Sequence, residues 1–470
     1  MPIKESVFRE YDIRGKVDSE LTLDEMYDLG CAIASYFIEK NMGVKTVAVG
    51  MDGRLHSQEI KEKVCQALHD SGLDVMFCGL CPSPALYFAM HTEPVQAGIM
   101  ITASHNPKEY NGLKICLKEL LVHGKEIKEI ASYFQTRKRV NSPHKGRYYE
   151  NSIVEKYVNW LVENFIHLKG MKRSVIVDCG NAVGGAVMPL LIEKMEWPSV
   201  ELLYEEVDGN YPHHTADPTV EKNMQAVKKH LEETETECGF GLDGDCDRVG
   251  AMTKHGELIT GDKLLSVFAK DILEKNPGAA VAFDIKSSSG LTELLKKWGG
   301  RPALSKTGHA FIKKTMMEHN ALLGGELSCH FFFHDRYFGY DDGIYALIRV
   351  LEMLEKTGKK LEDMISEFPK KWSSPEFRIS CPVENFKPII ADLEKKFEKR
   401  FDADVVTIDG IRATMPYGWG IVRASNTQPV LSIRFEAESP EELIRVKNDF
   451  IEVLRCYFDL DLLKKEILNA

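Results

Sequence analysis

Two short loops carry the residue types best suited to chemistry. The first is Thr102-Ala103-Ser104-His105-Asn106-Pro107, which follows an apolar run, Ala97 to Ile101, and precedes another, Leu113 to Leu117. Both runs read as strands, so Ser104 stands exposed on a turn at the end of a rigid element. Pro107 has no N–H for a ladder and pushes Asn106 away from helical geometry, which holds the loop open. A serine so placed can be a nucleophile or carry a covalently held group. Alone, the loop reads equally as a polar surface turn. The second loop is Asp243-Gly244-Asp245-Cys246-Asp247-Arg248, at the end of the strand-like run Cys238 to Leu242. Its aspartates occupy alternate positions, which in an extended stretch places all three carboxylates on one side. Gly244 permits the tight turn that would wrap them around a cation. Oxygen-only ligands select a hard metal, Mg²⁺ or Ca²⁺. An EF-hand is excluded, because Arg248 stands where its glycine is needed and Lys254 where its closing glutamate is needed. A phosphate on Ser104 would give Mg²⁺ a further oxygen ligand. Three aspartates and a phosphoserine of about −2 exceed the metal's charge, and Arg14, Lys114 and Arg248 are candidates for the balance.

Further donor sets stand on other loops. Glu326, Ser328 and His330 share the alternate spacing on a glycine-led stretch, and a carboxylate, a hydroxyl and an imidazole suit the hydroxyls of a sugar. Arg423, Ser425, Asn426 and Thr427 are a dense donor group for a dianionic phosphate, with arginine able to bind it bidentately. His309, in Lys306-Thr307-Gly308-His309, reads equally as a ligand contact or a helix cap. Gly180-Asn181-Ala182-Val183-Gly184-Gly185 resembles a phosphate cradle but lacks the Lys-Ser/Thr of a P-loop, and reads as tight strand-to-helix packing.

These loops need scaffolds. The chain has 470 residues, more than one core usually serves, which suggests three or four domains. Strands at 46–50, 73–78 and 97–101 alternate with helices at 57–71 and near Pro84, an α/β pattern. Thr22 and Glu25 read as a capping box for a helix to about Lys40, and the polar stretch Val140 to Tyr149 reads as a linker. Two more units repeat the plan of strand, polar loop and helix. The last differs: alternating strands from Phe377, a hairpin at Asp409-Gly410 and a capped final helix from Ser439 form a small antiparallel sheet with helices. The expected domains are 1–147 with the serine loop, 148–255 with the aspartate loop, 256–369 with the sugar loop and 370–470 with the phosphate loop.

The formal net charge of −11 argues against nucleic acid and means that an anionic substrate needs locally gathered cations. Eleven cysteines, scattered and odd in number, argue against a disulfide framework or zinc ribbon and fit a reducing cytoplasm. No secretory leader or membrane span is read in the chain, so a cytoplasmic location without membrane partners is expected.

Taken together, Tyr11-Asp12-Ile13-Arg14-Gly15, the Ser104 loop, Asp243 to Arg248, Lys306 to His309, Gly325 to His330 and Arg423 to Thr427 resemble the α-D-phosphohexomutases, most closely the bacterial phosphomannomutase/phosphoglucomutase group. The resemblance implies an α/β fold: three similar α/β domains with mixed sheets plus a smaller C-terminal α+β domain, arranged around a central cleft. It implies an intramolecular phosphotransferase that interconverts hexose 1-phosphate and hexose 6-phosphate, with hexose 1,6-bisphosphate as intermediate and activator. Ser104 would be the phosphoserine, and its phosphate would hold Mg²⁺ together with Asp243, Asp245 and Asp247. Arg248, Lys286, His309, Tyr11 and Arg14 would line the cleft, and Glu326 and Ser328 would read sugar hydroxyls. Arg423, Ser425, Asn426 and Thr427 would hold the phosphate that is not reacting. Lys114 and His330 are assigned to proton transfer, and a monomer is expected.

Cys246 and Cys329 stand where such chains usually have glycine, which puts the loop backbones in question because cysteine reaches φ > 0 only at a cost. Mannose and glucose phosphates are not distinguished by these residues, and a phosphoglucosamine or N-acetylglucosamine-phosphate mutase is the alternative within the family. A phosphatase with an aspartate nucleophile and a non-catalytic sugar-phosphate-binding protein are the alternatives.

Overall fold

Buried β-branched runs set the framework. The computed structural model describes residues 3–40, 42–118, 122–382, 385–401, 403–424 and 430–468. By backbone contacts the chain divides into two units, Met1–Phe268 with Ser328–Ile365, and Ala269–Leu327 with Ser366–Ala470.

The first unit contains two mixed sheets. The first runs in the order 13–16, 110–117, 97–101, 46–51, 74–80, 148–150. Its centre is parallel: Thr46–Met51 lies between Asp74–Leu80 and Ala97–Ile101. Such strands are covered on both faces, which is why they are continuously apolar. Helices Met26–Glu39 and Ser57–Asp70 supply Ile33, Phe37, Val64 and Leu68 to one core with Val47 and Val49. Helix Ser83–Thr92 approaches so closely that a Cβ at Gly98 would lie 2.6 Å from Met90 Sδ. Ala97–Ile101 then pairs antiparallel with Tyr110–Leu117, and the Ser104 loop is their connection.

One strand is added and two local readings change. Ile13–Lys16 is an edge strand paired with Tyr110–Leu117, so Arg14 is placed by sheet register opposite Gly112. The stretch taken as a linker ends in a strand, Tyr148–Glu150, parallel to Asp74–Leu80. Thr22 makes no capping bond: a 3₁₀ turn, Leu23–Glu25, precedes the helix, and Glu25 instead accepts the Ile3 amide and pairs with Arg137. Tertiary partners outcompeted the local cap.

The second sheet has the order 258–259, 249–253, 238–242, 175–178, 200–203. Cys238–Leu242 and Val249–Thr253 pair antiparallel, and their connection is the aspartate loop. The Gly180–Gly185 segment packs tightly as expected: a Cβ at Gly185 would lie 1.7 Å from Glu205 O. The same unit holds Phe331–Phe333 and the helix Gly343–Thr357, whose N-cap Asp342 accepts the Tyr345 amide.

The second unit has parallel strands Arg301–Ser305, Ala280–Asp284 and Ala321–Gly325 with helices Ser289–Lys297 and His309–His319. Its antiparallel sheet joins Asp404–Val406, Ile411–Met415, Gly418–Ala424 and Val430–Ala437, with Phe377–Ser380 pairing to the last. Ser439 caps the helix Pro440–Leu454 by accepting the Glu442 amide. Among the described residues, no helix is long and apolar enough to cross a membrane.

Candidate active site

Ser104 ends up against the aspartates. Its Oγ donates to Asp243 Oδ2 at 2.8 Å and lies 3.0 Å from His105 Nδ1. The residue is buried rather than exposed, and its φ is +49°. That left-handed conformation is unusual for serine and marks a constrained site. Thr102 Oγ1 accepts the Ser104 amide at 2.8 Å.

Asp243, Asp245 and Asp247 are all buried, each offering an oxygen within 4.8 Å of the others. Burial, then the charges of Asp247 and Asp245, push the Asp243 carboxyl well above its ordinary pKa. Arg248 N donates to Asp243 Oδ1 at 3.1 Å. Asp245 Oδ2 accepts from Ser83 Oγ and from Lys114 Nζ, the latter at 2.6 Å. Lys114 Nζ also donates to Asp247 Oδ2 at 2.5 Å. Burial alone would lower the lysine pKa, but these two carboxylates hold it above its ordinary value. Asp245 Oδ1 and Asp247 Oδ1 are buried with no hydrogen-bond partner among the described residues. Crowded carboxylates with two spare oxygens and an ammonium drawn between them are the chemistry of a cation site, so the residues fit a metal.

His330 is the third corner of this group. Arg248 Nε donates to His330 Nε2 at 2.9 Å, and His330 Nδ1 lies 3.2 Å from Asp341 Oδ2 and 3.6 Å from Asp247 Oδ1. Arginine has no acceptor, so Nε2 must be the unprotonated nitrogen and Nδ1 carries the hydrogen. Arg14 donates to Ala103 O at 3.1 Å and Asn106 Oδ1 at 2.8 Å, and pairs with Asp12. Cys246 and Cys329 do take left-handed backbone, with φ of +58° and +65°. Both are buried, so their thiols leave the loop geometry open to side-chain ligands while paying strain at the backbone.

The second unit carries four other predicted residues. Glu326 Oε1 accepts the Gly308 amide at 2.6 Å, next to His309 at the start of its helix. Asp409 Oδ2 accepts from Arg423 Nε at 2.9 Å and from the Thr307 amide at 3.2 Å. Lys286 Nζ donates to Glu376 Oε2 at 3.3 Å. Burial would raise the Glu376 pKa, but Lys286 holds it below the ordinary value. Ser425, Asn426 and Thr427 lie outside the described residues. Tyr11 and Ser328 are half-buried in the first unit.

Sequence reasoning passed over several residues that touch these groups: Ser83, Asp341, Asp409 and Arg54. In the sequence Asp409-Gly410 reads only as a turn, and Asp341 carries no motif of its own. The available signal was position, because each follows a strand, as Ser104 and the aspartates do.

Four family models match in chain order, described as phosphoglucomutase/phosphomannomutase alpha/beta/alpha domain I at residues 5–141, domain II at 155–256, domain III at 260–372 and the C-terminal domain at 379–453. A phosphomannomutase/phosphoglucomutase from Pseudomonas syringae pv. tomato is 41% identical over 98% of this chain and 97% of its own. A phosphoglucomutase from Neisseria gonorrhoeae is 40% identical over 96% and 97%. The crystal structure of a phosphoglucomutase/phosphomannomutase family protein from Burkholderia thailandensis superposes with a TM-score of 0.89 at 34% identity, covering 97% of this chain and 98% of that one.

Proposed function

The chain belongs to the phosphoglucomutase/phosphomannomutase family, and from that membership we propose how its residues divide the work. It is a phosphohexomutase, an isomerase that interconverts hexose 1-phosphates and hexose 6-phosphates of mannose and glucose. Its fold is that of the family, three α/β domains followed by a C-terminal domain. The proposed boundaries remain near residues 147, 255 and 369.

Ser104 carries the phosphoryl group. The observation that supports this most is the 2.8 Å approach of its Oγ to Asp243 within the aspartate cluster. Asp243, Asp245 and Asp247 hold Mg²⁺ together with the Ser104 phosphate; when bound, that cation neutralises phosphoryl charge and polarises the phosphorus. In the first half-reaction the P–O bond to Ser104 Oγ breaks and a P–O bond to the bare O1 or O6 of the hexose phosphate forms. The sugar hydroxyl loses its proton to His330 Nε2, which it meets in place of Arg248, and Lys114 supplies the proton to the departing serine oxygen. The hexose 1,6-bisphosphate turns end for end, and its other phosphate returns to Ser104 with the proton movements reversed.

Arg423, Ser425, Asn426 and Thr427 hold the idle phosphate. Because that phosphate lies at either end of the sugar, the anchor must read phosphate rather than ring shape. Glu326 and Ser328 read hydroxyls, with Lys286, His309, Tyr11 and Arg14 as further contacts.

The deciding experiment compares Ser104→Ala with the parent, assayed on mannose 1-phosphate and glucose 1-phosphate with the bisphosphate activator. Turnover should be lost, and intact mass should show a phosphate adduct of about 80 Da on the parent only. Normal turnover by the variant, or release of free phosphate in place of isomer, would contradict the scheme.

A further inference from the structure

Building on the reading of Ser104 as phosphate carrier, we propose that Arg54 is a positioning residue: its guanidinium clamps the serine loop so that the Ser104 hydroxyl is presented to the aspartates. Arg54 follows the strand Thr46–Met51 and is 3% exposed. One terminal nitrogen donates to Ser104 O at 2.6 Å and Asn106 O at 2.7 Å. The other donates to Pro107 O at 2.9 Å and Tyr110 O at 3.0 Å. Nε donates to Asp52 Oδ2 at 3.2 Å. All five guanidinium hydrogens are thus spent on the protein, four of them on carbonyls from residue 104 to residue 110.

Three of those carbonyls lie in the irregular loop before the strand Tyr110–Leu117 and the fourth is on its first residue, and a buried unpaired carbonyl is costly. A planar, five-donor fork meets four of them at once, which no other side chain can do. The fork is itself fixed. Asp52 Oδ1 accepts the Arg54 amide at 3.1 Å and Ser57 Oγ at 2.9 Å. From behind, the Arg54 guanidinium carbon sits 5.2 Å from the centroid of the Tyr211 ring, and Tyr211 has a φ of +50°. A Cβ at Gly209 would fall 2.6 Å from Gly53 O, so this segment of the second sheet's domain leans directly on the clamp.

The link to chemistry is the Ser104 carbonyl. Arg54 donates to it, and Gly244 lies so near that a Cβ there would be 2.1 Å from the same oxygen. With that carbonyl bonded to Arg54 and crowded by Gly244, and the Ser104 amide tied to Thr102, the left-handed φ of Ser104 is maintained and its Cα–Cβ bond is aimed. Misplacement of a reacting group by about 1 Å costs on the order of a hundredfold in rate.

Arg54→Lys tests this, because it keeps a cation opposite Asp52 but has only three donors in tetrahedral array. The full-length variant, the parent and Ser104→Ala are compared for kcat, KM, Ser104 phosphate by intact mass, and thermal unfolding. The expected result is a cooperatively folded Arg54→Lys protein with kcat lowered about a hundredfold and KM unchanged. Parent-like kcat in Arg54→Lys with inactive Ser104→Ala would overturn the clamp alone. A kcat loss that merely tracks the unfolded fraction would do the same. Active Ser104→Ala would overturn the serine reading and the clamp with it. Should Arg54→Lys not fold, Gly244→Ala decides, since its Cβ pushes on the carbonyl that Arg54 holds: parent-like kcat there overturns the proposal, a kcat loss at unchanged KM with a parent-like gain in thermal stability on adding Mg²⁺ supports it, and a kcat loss that disappears at saturating Mg²⁺ overturns it.

Discussion

The Lys114 ammonium lies 2.5 Å from Asp247 Oδ2, with both groups buried. Its second bond, to Asp245, makes it a cation shared by two of the three carboxylates proposed to hold the metal. The lysine and a divalent ion therefore serve one electrostatic need, and the need is strongest where neither is present.

Replacing Lys114 with methionine should cost the metal-stripped protein about 3–5 kcal/mol, because it leaves buried carboxylates uncompensated. Added Mg²⁺ should then stabilise the variant more than it stabilises the parent. Thermal unfolding in chelator and in graded Mg²⁺ measures both effects. Equal responses of the two proteins would mean that the lysine and the metal do not share the carboxylates.

Asp342 gives a pH dependence that can be assigned. It accepts from Tyr157, from Tyr337 at 2.7 Å and from the Tyr345 amide, yet burial pushes its carboxyl up to about 7. A carboxyl whose folded pKa is raised contributes stability that is complete below its unfolded pKa and is lost as pH rises through the folded one. Asp342→Asn, which mimics the protonated form, should therefore gain on the parent by up to about 1.4 kcal/mol per pH unit between roughly pH 4 and pH 7. Urea unfolding across that range reads the difference; a constant offset would show that Asp342 does not titrate as assigned.

Arg423 should govern phosphate affinity, and Asp409 should govern Arg423. Losing a charge-assisted hydrogen bond of about 1.5–3 kcal/mol raises KM roughly tenfold to a hundredfold. Arg423→Lys should show this rise with a smaller change in kcat, and Asp409→Ala should reproduce part of it by freeing Nε. Steady-state kinetics in both directions of the reaction test the pair. A kcat loss at unchanged KM would move Arg423 from anchoring to the chemical step.

What the sequence made legible was whatever lies within a few residues of itself. Ala97–Ile101 and Cys238–Leu242 announce themselves as apolar runs, and the loops that follow carry Ser104 and the aspartates within five residues of the strand ends. Arg54 was invisible because its partners are carbonyls that come within reach only when Thr46–Met51 pairs beside Ala97–Ile101. Asp341 gives no local signal, since its approach to His330 depends on the bridge between Phe332 and Asp341. Strands of three or four residues, such as Tyr148–Glu150 and Ile13–Lys16, fell below the length at which alternation is readable. The Thr22 cap failed for the opposite reason: a good local signal lost to Ile3 and Arg137, which are distant in sequence.

The ties from Lys114 to residues 131 and 133 places further along also bear on how the chain is made. A ribosome delivers the lysine well before either aspartate has been polymerised, so the nascent first sheet must wait with an unmatched ammonium at its heart. The ammonium stays in water until the hairpin of the second sheet has emerged, so its pairing is among the late steps of the chain's maturation.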